Sequence, residues 1–320
     1  MRRWINRWNA YWFPESSTLS LSISRIVAVA AQLFWFFPSL RWHLNLLQKN
    51  SEFIAPQVLI SAISEVVPRD AFFTPSTFTF LYWATAAVGV LALVGLFTRP
   101  SVFLFALGSW IFTAHVYSYG DRHHPEAVFA IFLMTLAFAP SGDRLSLDAL
   151  IRRRRDRSGK AAAEAPRQSD TATWPLKLTH VLLAMTYFST GISKLIFGGL
   201  TWMNGYTLRG YTFANAVNRE APLGMWLAQQ HTISILLSVF TVMFELFFFV
   251  SLIVPRTAPF FFFTGIMFQI GLFLTGRHLF FPHIVLLALL LVLTAPQWWR
   301  AWMGDAAVSS RPFARVAIRQ

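Results

Sequence analysis

Eight long apolar windows dominate this sequence, and a helix of about 20 such residues crosses a hydrocarbon core about 30 Å thick. They run approximately Leu19–Pro38, Phe78–Phe97, Ser101–Tyr117, Ala127–Pro140, Leu176–Phe197, Thr232–Val254, Phe260–Thr275 and Phe280–Thr294, with Gly or Pro at most ends. The fourth is short, so its ends are expected a turn further out. The expected fold is therefore all-α, a polytopic membrane bundle of about eight transmembrane helices with helical outer-face loops. Composition agrees: 55% of the residues are hydrophobic and only 13% charged, against roughly 25% charged in soluble domains. The net charge of +13 then sits on a chain too apolar for a soluble nucleic-acid binder, and no nucleic-acid partner is expected. The absence of cysteine excludes disulfides, thiol redox chemistry and thiolate metal sites.

The basic residues predict an orientation. With an even number of spans both termini share a side, and 18 of the 27 Lys and Arg residues fall in segments on that side, against 7 opposite. Arg25 and Lys194 lie within spans. The positive-inside rule puts the termini in the cytoplasm and the lipid bilayer of the cell's inner membrane around the bundle. Residues 1–150 then form an N-terminal half of four spans, 151–175 a flexible basic cytoplasmic linker containing Arg152–Arg155, and 176–320 a second half of four spans with a short tail. The first span is preceded by a long aromatic and basic stretch, unlike a cleavable signal. Within that stretch Trp4, Trp8 and Tyr11 recur beside Arg3 and Arg7, the pattern of a helix lying at the headgroups. Two outer segments, Leu40–Thr77 and Gly198–His231, are long enough to fold over the mouth of the bundle.

Ionisable residues inside a bilayer each cost about 2.5 to 3.5 kcal/mol, so each needs a partner or a purpose. In the fifth span Thr186, Ser189, Thr190, Ser193 and Lys194 share an arc of about 140° at 100° per residue. Lys194 lies near the outer end of that face, where it either snorkels to the headgroups or acts chemically. Ser234, Ser238, Thr241 and Glu245 form a polar face in the sixth span, and Ser22, Arg25 and Gln32 another in the first. Arg25 and Glu245 are at similar depth, which predicts a structural ion pair. The segment Asp121-Arg-His-His-Pro-Glu126 gathers titratable groups where the fourth span begins. An interfacial histidine cluster, an acid/base site and a metal site with His278 or His283 all remain open for it; the spacing matches no known ligand pattern, and no metal is expected.

Tyr187-Phe-Ser-Thr-Gly-Ile-Ser-Lys-Leu195, followed by Trp202-Met-Asn-Gly205, resembles the membrane part of the vitamin K-dependent gamma-carboxylase family and of the horizontally transferred transmembrane (HTTM) domain proteins. Asp121-Arg-His-His-Pro-Glu-Ala-Val128 and the stretch from Ala137 to Asp148 resemble that family's histidine-bearing helix and its polar exit. The resemblance implies a reduced naphthoquinone of vitamin K or menaquinone type as cofactor, oxidised by O₂ to drive carbanion formation and carboxylation at the outer face. It implies Lys194 as the catalytic base, neutral among Thr, Ser and Phe side chains, and His124 as helper, with His123 as the alternative register. Tyr187, Thr190, Trp202 and Phe248 are the expected quinone contacts. Two features depart from the carboxylase: the animal motif has two adjacent lysines where this chain has Ser193-Lys194, and no substrate-holding lumenal domain is expected after the membrane part. The HTTM resemblance equally admits a non-catalytic module serving as maturation or immunity partner of a secreted peptide or protein.

Overall fold

The computed structural model describes residues 2–14, 16–37, 39–49, 54–120, 124–157, 168–278 and 280–294. They form an all-α polytopic bundle that divides into two compact units, Met1–Leu178 and Thr179–Gln320, with the boundary inside one long helix. The first unit holds α1 (Arg2–Trp12), α2 (Thr18–Ala31), α3 (Leu40–Leu47), α4 (Val58–Val66), α5 (Arg69–Phe72), α6 (Pro75–Val94), α7 (Thr98–Ser118), α8 (His124–Phe138) and α9 (Leu147–Arg157). The helix α10 (Trp174–Gly198) leads into the second unit, followed by α11 (Tyr206–Arg219), α12 (Pro222–Gln229), α13 (His231–Phe247), α14 (Val250–Ile253), α15 (Ala258–Gly276) and α16 (Phe281–Leu293).

Six of these stretches are long and apolar enough to cross a membrane: Thr18–Phe36, Pro75–Val94, Thr98–Ser118, Asp170–Asn204, His231–Ile253 and Pro255–Gly276. The remaining two windows correspond to α8 and α16, of 15 and 13 residues. At 1.5 Å per residue they rise only about 20 Å, so two of the eight expected apolar helices are shorter than the other six. The first span ends in a π-helical turn, Gln32–Phe36. The outer segments do fold as helices, α3 to α5 in one and α11 with α12 in the other. The run Arg152–Arg155, read from composition as flexible linker, lies in α9. A short antiparallel pair, Ser16–Ser17 with Gln168–Ser169, closes the first unit near its chain ends.

The turn between α6 and α7 shows why these helices stop where they do. The helix α6 begins with Thr74 as cap, its hydroxyl accepting from the Thr77 N–H, and Pro75 in the first turn. It ends at Gly95 in the left-handed region, φ 72°. A Cβ there would lie 2.4 Å from Ser146 Cβ and 2.9 Å from an Arg25 nitrogen, so only glycine fits. Arg25, fully buried, donates to the carbonyls of Ala92 (2.5 Å) and Leu93 (2.8 Å) in the last turn of α6. It also donates to Ser141 (3.1 Å) and Leu145 (2.5 Å) beyond α8. Across the same turn Asp148 accepts from the Phe97 N–H (3.0 Å), the Thr98 N–H (2.7 Å) and the Thr98 hydroxyl (2.7 Å). A cation thus meets the carbonyl end of one helix and a carboxylate the amide end of the next, each matching the local dipole.

This arrangement corrects the expected Arg25–Glu245 ion pair. The Arg25 fork is used up by four backbone carbonyls of its own unit, because unpaired helix-end carbonyls in an apolar interior demand donors as strongly as a carboxylate does. Glu245 takes a different partner, described below.

The Asp148 cap yields a prediction. Burial by itself would raise the pKa of this carboxyl, but hydrogen bonds from Thr98 and Phe97, with Arg152 nearby, hold it below the usual carboxylate value. A lowered folded pKa means stabilisation that is fully present above the unfolded value and lost as pH falls through the folded one. Asp148→Ala is expected to lose about 1 kcal/mol at pH 7. The melting curves of wild type and variant in detergent should converge below about pH 4. A gap unchanged between pH 7 and pH 3 would refute the charged cap.

Candidate functional site

The second unit brings two of the polar faces together. Lys194 Nζ lies 2.8 Å from Glu245 Oε1 and 2.6 Å from Oε2, a bidentate ion pair between α10 and α13. The approach of these helices depends on Gly191: a Cβ added there would lie 3.1 Å from Glu245 Cβ and from Leu246 Cγ and Cδ2. Long helical side chains lean toward the N-terminus, so Lys194 reaches back one turn to the level of Gly191, where Glu245 is waiting. The Glu245 side chain is 7% exposed and that of Lys194 is 21% exposed. The pair is thus shielded on the carboxylate side and open on the ammonium side.

That open side faces a cleft of about 530 Å³ lined by Thr190, Ser193, Lys194, Phe197, Gly198, Trp202, Thr207 and Tyr211. Trp202 stands in a turn of 3₁₀ helix, Gly199–Asn204, that caps α10, and its ring lies 5.2 Å from Lys194 Nζ. Such a cation over an indole face contributes about 0.5 to 2 kcal/mol. Gly205, φ 83°, then turns the chain into α11, which supplies Thr207 and Tyr211 to the opposite wall. The cleft offers one ammonium, three aromatic side chains and three aliphatic hydroxyls, with a carboxylate behind the ammonium. It can bind a flat, partly apolar ligand and exchange a proton with it.

The expected site residues separate into three groups. Lys194, Thr190 and Trp202 share the cleft. Tyr187 and Phe248 do not line it: both are buried, their rings are 4.6 Å apart, and they pack in the core. The Tyr187 hydroxyl accepts from Gln269 Nε2 at 2.8 Å, and Gln269 lies 3.3 Å from His283 Nδ1. Tyr187, expected from the resemblance, lies seven residues or about two turns before Lys194, where neighbouring helices close over it. The third group falls at the edge of the description. His123 lies outside the described residues, and His124 opens α8 with its side chain likewise outside them. Among the described residues no group of three or more His, Cys, Asp or Glu stands ready for a metal.

Glu245 as partner of Lys194, and Phe197, Thr207 and Tyr211 as walls, were not anticipated. The hydropathy window ended at Phe197 and so placed Lys194 at the rim. In the structure α10 is followed directly by the helical turn Gly199–Asn204, and Lys194 pairs with Glu245. The signal available was Gly191, a small residue one turn before a membrane lysine.

Removing one member of a shielded pair strands the other. Lys194→Met alone is expected to cost about 3 kcal/mol or more of stability. The double variant Lys194→Met/Glu245→Gln should recover a large part of that loss in thermal melts. Additive losses in the double variant would contradict the pairing.

The HTTM domain family matches residues 63–298. No curated protein and no solved structure matches the chain. The family match takes in the α6–α7 turn with its Asp148 cap, the cleft and the Lys194–Glu245 pair, and covers well over half of the 320 residues. This multi-pass membrane protein belongs to the HTTM domain family.

Proposed function

We propose that the protein is a membrane enzyme of the gamma-carboxylase-like type, in which Lys194 and Glu245 together take a proton from a hydroxyl of a reduced naphthoquinone bound in the cleft. The observation that carries this reading is the bidentate Lys194–Glu245 pair with its ammonium side open to an aromatic-walled cleft. The residues present fit such a ligand. Phe197, Trp202 and Tyr211 offer apolar and ring surface, Thr190, Ser193 and Thr207 offer hydroxyls, and about 530 Å³ is within the range of small-molecule sites. A reduced naphthoquinone would supply, when bound, an acidic ring hydroxyl and the electrons that O₂ takes up.

The chain's own part is proton transfer. A lysine already charged cannot accept a proton, so the neutral, isolated lysine suggested by the resemblance gives way to a coupled pair. Lys194 passes one proton to Glu245: an N–H bond breaks at Nζ and an O–H bond forms at Oε. The freed amine then takes the proton of the ligand hydroxyl and is an ammonium again. Lys194 is unchanged at the end, Glu245 has gained the proton, and the anion left on the ligand faces a cation. Trp202 over the ammonium fixes where that charge sits. The excess of basic residues on one side, 18 against 7, supports cytoplasmic termini and a cleft toward the outer face.

Purified protein in lipid nanodiscs should convert a reduced menaquinone to its epoxide in the presence of O₂. Lys194→Ala and Glu245→Gln should each lower the rate by at least about 100-fold. Substrate depletion without epoxide, or variants as fast as wild type, would overturn the reading. A wild type that makes no epoxide yet retains a specific secreted partner, with or without Lys194, would favour the non-catalytic module instead.

A further inference from the structure

A second constellation lies in the first unit and takes no part in the cleft. His43 on α3 and His115 near the end of α7 are both fully buried, and their Nδ1 atoms face each other at 3.0 Å. The rings around them are almost all aromatic. Phe112 lies 4.7 Å from His43, Phe78 lies 4.5 Å from His115, and Phe73 and Tyr119 complete the shell at 5.7 and 5.4 Å from His115. Among the described residues neither Nε2 atom has a hydrogen-bond partner.

This geometry is poorly satisfied as plain packing. Two neutral imidazoles can share one Nδ1–H···Nδ1 hydrogen bond, but the donor ring is then left with a bare Nε2 lone pair among phenyl rings and the other with an Nε2–H lacking an acceptor. Each unmatched buried group costs about 1 to 3 kcal/mol. A cation between the two Nδ1 atoms removes half of that problem. Both rings then carry hydrogen at Nε2, a tautomer that aromatic faces tolerate through weak N–H···π contact.

The surroundings select the cation. Among the described residues no third His, Cys, Asp or Glu joins the pair, whereas zinc is held by three or four protein ligands and calcium or magnesium by oxygens. Among the described residues no carboxylate joins the pair to offset the charge, and desolvation cost rises with the square of ionic charge, so a monovalent ion is favoured over a divalent one. The aromatic shell stabilises a cation through its ring faces. A d¹⁰ monovalent metal is content with two collinear nitrogen donors, and imidazole suits copper. We infer that His43 and His115 form a two-coordinate site for copper(I). With metal–nitrogen bonds of about 2 Å, the Nδ1 atoms must part to about 4 Å, so each ring retreats by about 0.5 Å. No proton is released, since the hydrogen on the donor ring only moves from Nδ1 to Nε2.

The test uses the full chain in detergent, titrated anaerobically with copper(I) against a chromophoric chelator, with silver(I) as a redox-inert probe. One copper(I) per chain is expected, with an X-ray absorption spectrum of two nitrogen neighbours and no sulfur. His43→Phe and His115→Phe keep ring volume in an aromatic shell and should lower affinity by at least about 100-fold. Silver(I) should raise the melting temperature of wild type and not that of the double variant. His231→Gln, in the other unit, should bind as wild type does. Absence of stoichiometric copper in the wild type, sulfur neighbours from methionine, or equal binding by the folded double variant would overturn the site. The spectrum is taken on wild-type protein, so it decides even where a variant fails to fold.

Discussion

The fold of the first unit depends on one buried guanidinium. In an apolar interior the last carbonyls of a helix and the carbonyls of an irregular turn have no water to turn to, and each left bare is costly. Arg25 meets four of them at once, two ending α6 and two after α8. Arginine can do this because its planar fork carries five donors and stays charged. Lysine, with one point of attachment, would leave carbonyls unmatched. Asp148 completes the arrangement from the amide side of the same turn, and its own N–H donates to the Gly95 carbonyl at 3.0 Å. The polar turn at this end is therefore closed by two opposite charges that never need to touch.

The second unit solves a related problem differently. There the membrane charges are of both signs and satisfy each other, and the helices must come close enough for them to meet. Gly191 provides that approach. The carboxylate is the buried partner and the ammonium the exposed one, so whatever enters the cleft meets positive charge first. A buried ion pair by itself is weak evidence for stability, since desolvation offsets much of the attraction. Its placement beside a cleft rather than within the packed core is what gives it chemical interest.

Much of the fold was legible in the sequence, because hydropathy alone locates apolar helices. The polar arcs on the fifth and sixth spans were visible too, and both faces supply the pair. Partner choice was not legible. Arg25 and Glu245 looked matched by depth and sign, yet sequence carries no record of which backbone carbonyls will be left bare at a turn. Those carbonyls outcompeted the carboxylate. Tyr187 and Phe248 failed as cleft residues for a similar reason: a helical face says which side of a helix points inward, not how far along it the neighbours close. His43 was invisible as a partner of His115 because 71 residues intervene and no periodicity links them.

The two short apolar helices have a consequence of their own. In α8 nearly every apolar side chain from Val128 to Ala137 is buried, and α16 buries Leu286, Leu287, Leu289 and Leu290. The helix α8 is thus solvated by protein along most of its length and α16 along one face, so hydrophobic matching ties the length of α8 only weakly to the membrane. Its flanking turns can sit below the headgroup level without exposing polar backbone to acyl chains. The first unit thus keeps its greatest tolerance for changes in bilayer thickness at α8, while its more exposed helices bear the mismatch.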